Sequence, residues 1–321
     1  LHLKAGEEVE VPSTDTSAYC QARARLPEKL LEKLFNFSAQ SLEQKVASEY
    51  LWCGRNVKVI DGSTVSMPDT VENQKEYPQP SSQKPGCGFP IAKIGVVFSL
   101  VTGAAVALCI DVLNTHDLKL ARRLYSFLKP NDVLIGDRAF CAYADMFTIK
   151  NLDCDAVFRK HQSRTTTMRK GKVVGDCDKL VTWYKPNTCP KGLNKDEFLA
   201  LPSSITVREI YYYIVIPGFR TQQVSLITTL LDKSSYSTLE IVGLYGKRWD
   251  VELDLRHIKT TLGMDILRCK TPSMVRKEIH VYLLCLQFTS ELDVAGWDYL
   301  QYPSKSFIAS RYSTSFTEFY S

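Results

Sequence analysis

Apolar residues along the chain follow two rhythms. Residues 57–60 and 132–136 are short runs rich in Val, Ile and Leu, each closed by an aspartate. They predict buried strands that end at Asp61 and Asp137. Residues 156–158 predict a third short strand. The stretch 91–110 is mostly apolar and long enough to cross a bilayer, but Lys93 lies inside it and Thr102-Gly103 interrupts it. Each half is rich in Val, Ile and Phe, so the pattern predicts a buried hairpin turning near Thr102-Gly103. Residues 207–216 and 222–230 are β-rich, with Pro217-Gly218 between them as the turn.

The second rhythm is helical. Pro27 opens a run in which Leu30, Leu31, Leu34 and Phe35 fall at helical spacing. Residues 118–128 read as an amphipathic helix with Asp117 at its start, and 142–151 as another. Long helices are predicted over 237–262 and, after Pro272, over 273–292. A Pro-, Gln- and Gly-rich loop fills 68–90. Strands buried on both faces, alternating with helices, predict an α/β mixed sheet flanked by helices.

Composition changes this picture in one place. The 321 residues carry a net charge of +5, yet 159–195 holds ten Lys/Arg against Asp176 and Asp178. That segment is net +8, leaving the rest slightly acidic, and it suggests a polyanion-binding surface. The ten cysteines show no CxxC spacing, which argues against a zinc module, and a chain this long has little need of a disulfide framework. Reduced thiols and the absence of a membrane span point to the cytoplasm. The chain opens on a leucine, without initiator methionine or signal peptide, and reads as an excerpt of a longer protein.

The candidate chemistry is carboxylate-based. Asp61 and Asp137 each stand just past a buried run, where open α/β sheets place their sites, although either alone also suits a turn or cap. On a continuous helix, Tyr245, Arg248, Glu252 and Lys259 fall within an arc of about 60°. Leu244, Val251, Leu255, Ile258 and Leu262 form the neighbouring apolar stripe. A glutamate between an arginine and a lysine on a core-packed helix can help hold a metal and grip phosphates; a surface ion-pair ladder has the same spacing. His257 and His280 read as structural or surface groups.

The spacing Tyr245-x2-Arg248-x3-Glu252-x6-Lys259 resembles the YREK signature of the DDE transposases of the insertion-sequence-four family. The stretch from Asp61 to Pro90 is similar to that family's first-aspartate region, and Asp137-Arg138-Ala139-Phe140-Cys141 to its second, with Phe140 where tyrosine is common. Trp183-Tyr184-Lys185-Pro186, Leu201-Pro202 and Val207-Arg208-Glu209 resemble its insertion, and the likeness runs over about 20–290.

The resemblance implies an RNase H-like core, whose strand-strand-strand-helix-strand-helix order the pattern above already follows. It implies a helical remnant at 1–55, the core at 56–160 and 226–295, a basic β-rich insertion at 161–225, and the start of a C-terminal region at 296–321. Asp61, Asp137 and Glu252 become the catalytic and metal-binding residues. They would hold two Mg²⁺ or Mn²⁺ ions roughly 3.5–4 Å apart, with Asp61 bridging.

Tyr245, Arg248 and Lys259 are assigned to DNA phosphates, with Arg138, Lys170 and Lys172 as further contacts. Trp183 either stacks on a flipped base or packs the insertion's core. The implied activity is cut-and-paste transposition. Its partners are transposon-end and target DNA and further copies of the chain, as a homodimer or higher oligomer at the bacterial nucleoid. A metal-dependent nuclease on the same fold, or a truncated inactive DNA-binding derivative, are the alternatives. By the same resemblance the N-terminal recognition region is expected to lie outside this stretch, so end recognition and synapsis are expected to need residues beyond it.

Overall fold

The computed structural model describes residues 16–161, 171–190, 192–214 and 221–299, without the side chains of 250, 252, 254, 257 and 291–299. In chain order come α1 (Ser17–Arg25), α2 (Glu28–Gln44), β1 (Val57–Ser66), α3 (Val71–Glu76), β2 (Ile91–Ser99), β3 (Ala105–Val112) and α4 (Asp117–Leu124). β4 (Val133–Gly136), α5 (Tyr143–Asn151), β5 (Asp155–Arg159), β6 (Lys172–Gly175), β7 (Asp178–Tyr184) and α6 (Lys195–Ala200) follow. The chain continues through β8 (Ser204–Ile214), β9 (Gln222–Thr228), α7 (Thr238–Gly246), α8 (Arg248–Thr260) and α9 (Pro272–Tyr299).

The strands form one sheet in the order β3-β2-β1-β4-β5-β9-β8-β7-β6. β1, β2 and β3 are an antiparallel meander, and β4 and β5 run parallel to β1. This order and these directions are those of an RNase H-like sheet. The helices cover it on both sides because successive side chains of a strand point to opposite faces. Val57, Val59, Val133, Ile135 and Val157 face α2, α7, α8 and α9 in one core. Ile60, Leu134, Ala156 and Phe158 face α4 and α5 in the other.

The hairpin turns where expected, with Gly103 at φ +70°, a backbone region that favours glycine. Among the described residues no helix is long and apolar enough to cross a membrane.

Several boundaries differ from the sequence reading. β1 does not stop before Asp61 but runs to Ser66, because β2 pairs with it along its whole length. Ser66 is also joined to the chain after α8, through its amide to Asp265 O (2.9 Å) and its carbonyl to Leu267 N (2.8 Å). The helix expected over 237–262 is two helices meeting at Lys247, and Leu262, placed on its apolar stripe, lies beyond its end and is exposed.

The β-rich insertion has no sheet of its own. β9 pairs antiparallel with β5 and with β8, and β8 with β7, so the insertion prolongs the core sheet. β9 itself crosses the expected 225/226 boundary. The Pro217-Gly218 turn lies outside the described residues.

Candidate active site

Strand register places the two aspartates. Val59 is paired with Ile135 across the parallel β1–β4 ladder, and Ile135 with Val157 across β4–β5. Two residues further on lie Asp61 within β1, Asp137 just past the end of β4 and Arg159 at the end of β5, which the same register sets near one level. The two-residue periodicity keeps them on the face of Val59, Ile135 and Val157, beneath α7 and α8. Neighbouring strands lie about 4.8 Å apart, so the two aspartates belong to neighbouring strand paths. The row sits at the C-terminal ends of β4 and β5 and midway along β1.

Local sequence fixes both carboxylates. Asp61 is half-buried and accepts from the Gly62 amide (2.8 Å). Asp137 keeps an extended backbone, and its Oδ1 accepts from Ala139 N (2.8 Å), capping the short 3-10 turn Arg138–Phe140. That turn can fold tightly because the preceding residue is Gly136. A Cβ there would meet Ile60 Cγ2 at 2.8 Å and Phe140 Cδ2 at 2.9 Å.

The helix pair above the row begins with a capping box. Ser237 Oγ accepts from Glu240 N (3.2 Å), and Glu240 Oε2 accepts from Ser237 N (2.7 Å). α8 lays Val251, Leu255 and Ile258 into the core, as the apolar stripe predicted. Glu252 is on α8 one residue past buried Val251 and one turn after Arg248. Lys259 Nζ donates to Ser63 Oγ (3.0 Å), tying α8 to the face of β1 that carries Asp61.

Tyr245 and Arg248 do not stand on an open polar stripe; they are 4% and 8% exposed. The Arg248 guanidinium lies between the Tyr245 and Trp249 rings, 5.7 and 5.2 Å from their centroids. Burial raises the Tyr245 hydroxyl's pKa, Arg248 and Arg159 oppose the rise, and Asp137 adds to it. Tyr212 of β8, pushed up to about 12 mainly by burial, feels Tyr245, Arg159 and Arg248 as well. These groups therefore form one electrostatic cluster against the carboxylate row.

The other predicted residues are placed as follows. Arg138 is half-buried directly after Asp137. Trp183 is 7% exposed and packs in the second core with Val181, Leu201 and Val207, in keeping with the packing role. Lys172 is exposed on edge strand β6, whereas Lys170 lies outside the described residues. His280 is buried, its Nδ1 2.8 Å from Arg276 O, in keeping with a structural role.

Arg159 and Tyr212 were missed by sequence reasoning. For Arg159 a signal existed: like Asp61 and Asp137 it is a charged residue closing an apolar strand, but it was read as the start of the basic segment. A cavity of about 330 Å³ lined by Tyr19, Leu26, Cys269 and Val281 contains none of the site residues.

Carboxylates are oxygen donors and suit a hard divalent cation. Among the described residues no three His, Cys, Asp or Glu side chains form a cluster; these residues supply two of the three expected carboxylates. An RNase H-like sheet with an aspartate row at its strand ends defines an α/β class that places polar chemistry there.

Within that class the family is specific: residues 52–288 match the model of the Transposase DDE domain, and the chain belongs to that family. It is 25% identical over 281 residues to the transposase InsG of insertion sequence element IS4 from Escherichia coli strain K12. This covers 85% of the chain and bears out the insertion-sequence-four resemblance. The chain spans about 60% of that relative's length. Among solved structures it is similar to the piggyBac transposase synaptic complex with hairpin DNA, at 11% identity and TM-score 0.45, over 80% of this chain and 51% of that one. A Mos1 transposase paired-end complex aligns at 13% identity and TM-score 0.21, over 48% and 47%.

Proposed function

We propose that the chain is the catalytic part of a DNA transposase that cleaves strands at transposon ends and joins them to target DNA. The observation that carries this reading is the level pair Asp61–Asp137 beneath the helix bearing Glu252, in a chain of the Transposase DDE domain family. Asp61, Asp137 and Glu252 would hold two Mg²⁺ or Mn²⁺ ions. Bound there, such ions supply charge neutralisation at the phosphate and a more acidic attacking water or 3′-OH.

The chain's own residues do the rest. Asp61 and Asp137, each oriented by a backbone amide, would supply carboxylate oxygens to the ions. Arg159 and Arg248 place positive charge beside the row, where a phosphate's charge develops, and buried Tyr245 with half-buried Tyr212 shields that flank from water. Lys259 holds α8 to β1 and adds a cation at the same edge. Exposed Lys172 and half-buried Arg138, together with Lys170 from the same basic segment of the sequence, would contact DNA phosphates, and a homodimer or higher oligomer would bring two ends together. The protein acts on DNA in the bacterial cytoplasm, at the nucleoid.

The test is cleavage of labelled transposon-end DNA with Mg²⁺ or Mn²⁺ by the parent and by Glu252→Gln. The variant should lose cutting and joining together. Equal cleavage by both overturns the assignment, and cutting without joining by the parent would make the chain a nuclease.

A further inference from the structure

Arg208 of β8 is 0% exposed, and its guanidinium is satisfied on every side by three separate elements. Its Nε and Nη2 donate to the two carboxylate oxygens of Asp178 on β7, at 2.9 and 2.6 Å. Its Nη1 donates to Tyr236 O at 2.7 Å and to Leu230 O at 3.4 Å, in the loop leading to α7. Thr238, the first residue of α7, closes the ring by donating to Asp178 Oδ2 at 2.6 Å. Tyr236 and Thr238 flank Ser237, the N-cap of the helix pair that carries Glu252.

A buried ion pair adds little net stability over a well-packed apolar pair, because both charges lose their water. What a two-pronged guanidinium–carboxylate contact adds is a fixed distance and orientation. The geometry suits that use. Arg208 and Tyr212 lie on one face of β8, four residues or about 13 Å apart. Thr238 and Tyr245 are seven residues or about 10 Å apart on α7. The helix thus runs along the strand, anchored at Arg208 and meeting Tyr212 beside the carboxylate row. At its far end the pair is held by Lys259 to Ser63. Glu252 lies in sequence between these anchors.

We propose that Arg208 is a positioning residue: with Asp178 and Thr238 it sets the height of the α7–α8 pair over the Asp61–Asp137 row, and so couples the insertion strands to metal binding. This rests on the reading of Asp61, Asp137 and Glu252 as metal ligands. Displacing one member of such a set by about an ångström is enough to weaken it.

The experiment measures Mn²⁺ binding by the whole chain, by calorimetry and by the electron-spin signal of free Mn²⁺, without DNA. Arg208→Lys and the milder Thr238→Val should each weaken Mn²⁺ binding by about tenfold, as outer groups supporting metal ligands commonly do. Asp145→Asn weakens a second two-pronged pair, with half-buried Arg122 on the opposite face of the sheet, and serves as the stability control. It should bind Mn²⁺ as the parent does. Parent-like affinity in Thr238→Val and in any folded Arg208→Lys overturns the proposal, as does an equal loss in Asp145→Asn. Glu252→Gln separates the two levels: if it binds Mn²⁺ as tightly as the parent, the site reading fails and the positioning role falls with it.

Discussion

Gly136 has no room for a methyl group, and it directly precedes a site aspartate. An added Cβ would press on Ile60, Phe140 and Phe158 at 2.8, 2.9 and 3.2 Å. Gly136→Ala should cost about 1–3 kcal/mol in urea denaturation, the range for overpacking a core. It should also lower DNA cleavage beyond what the lost folded fraction explains, because Asp137 is the next residue along the chain. Asp61→Asn and Asp137→Asn should cut metal-dependent cleavage to below about one hundredth while the protein still folds, since the carboxylates proposed to hold the metal should matter at least as much as groups that only support such ligands. Circular dichroism and the cleavage assay check both halves. The aspartates were legible because each closes an apolar run. Arg159 closes one too, but its neighbours Lys160 and Arg164 drew it into a charge tally. The burial of Tyr245 and Arg248 was not legible: a helical wheel gives angle but not how far the covering strands extend, and β8 brings Tyr212 up against them.

At the scale of elements, two joints carry testable consequences. The α7 capping box predicts that Ser237→Ala lowers stability by about 1 kcal/mol. Its S-T-L-E sequence was readable, whereas the break at Lys247 was not, since Lys247 keeps an α-region backbone and nothing in the local sequence forbids continuation. The second joint is Lys58 of β1, 2% exposed and paired with Glu43 of α2. Burial, the largest cause, pushes its pKa down to about 8 even with Asp132 pulling it up. The unfolded chain keeps the ordinary value of 10.5, so between these two pKa values it binds more protons than the folded chain. Stability from this group therefore rises as pH increases from about 8 towards 10.5, by at most about 3 kcal/mol. Urea midpoints across that range should rise in the parent relative to Lys58→Met, and parallel curves would show that Lys58 does not titrate there.

For the whole molecule, thiol chemistry reports on packing. All ten cysteines are free. Cys20, Cys53, Cys87 and Cys285 are exposed, whereas burial lifts Cys154 to about 11 and Cys269 to about 12. Thiol alkylation of the native protein at pH 8 should modify the four exposed cysteines first, with Cys154 and Cys269 reacting only on unfolding. Early labelling of Cys269 would show that the α1–α9 contact opens. The overall class was readable from periodicity because buried parallel strands carry a strong signal. The joining of insertion to core was not, because edge pairing between β5 and β9 depends on residues some seventy positions apart.

That edge pairing has a consequence for how the chain can vary in length. The excursion that leaves β5 and returns as β9 begins and ends on hydrogen-bonded neighbours, with Arg159 opposite Leu226 and Lys160 N bonded to Ser225 O at 2.8 Å. It is topologically an outsized hairpin loop. Residues can be added or deleted at its outer rim, around β6 and α6, without altering where the chain re-enters. Trimming has to spare Val181, Trp183, Leu201 and Val207, which pack in the second core. Grafting a foreign module at the rim is accordingly the least invasive way to retarget this scaffold.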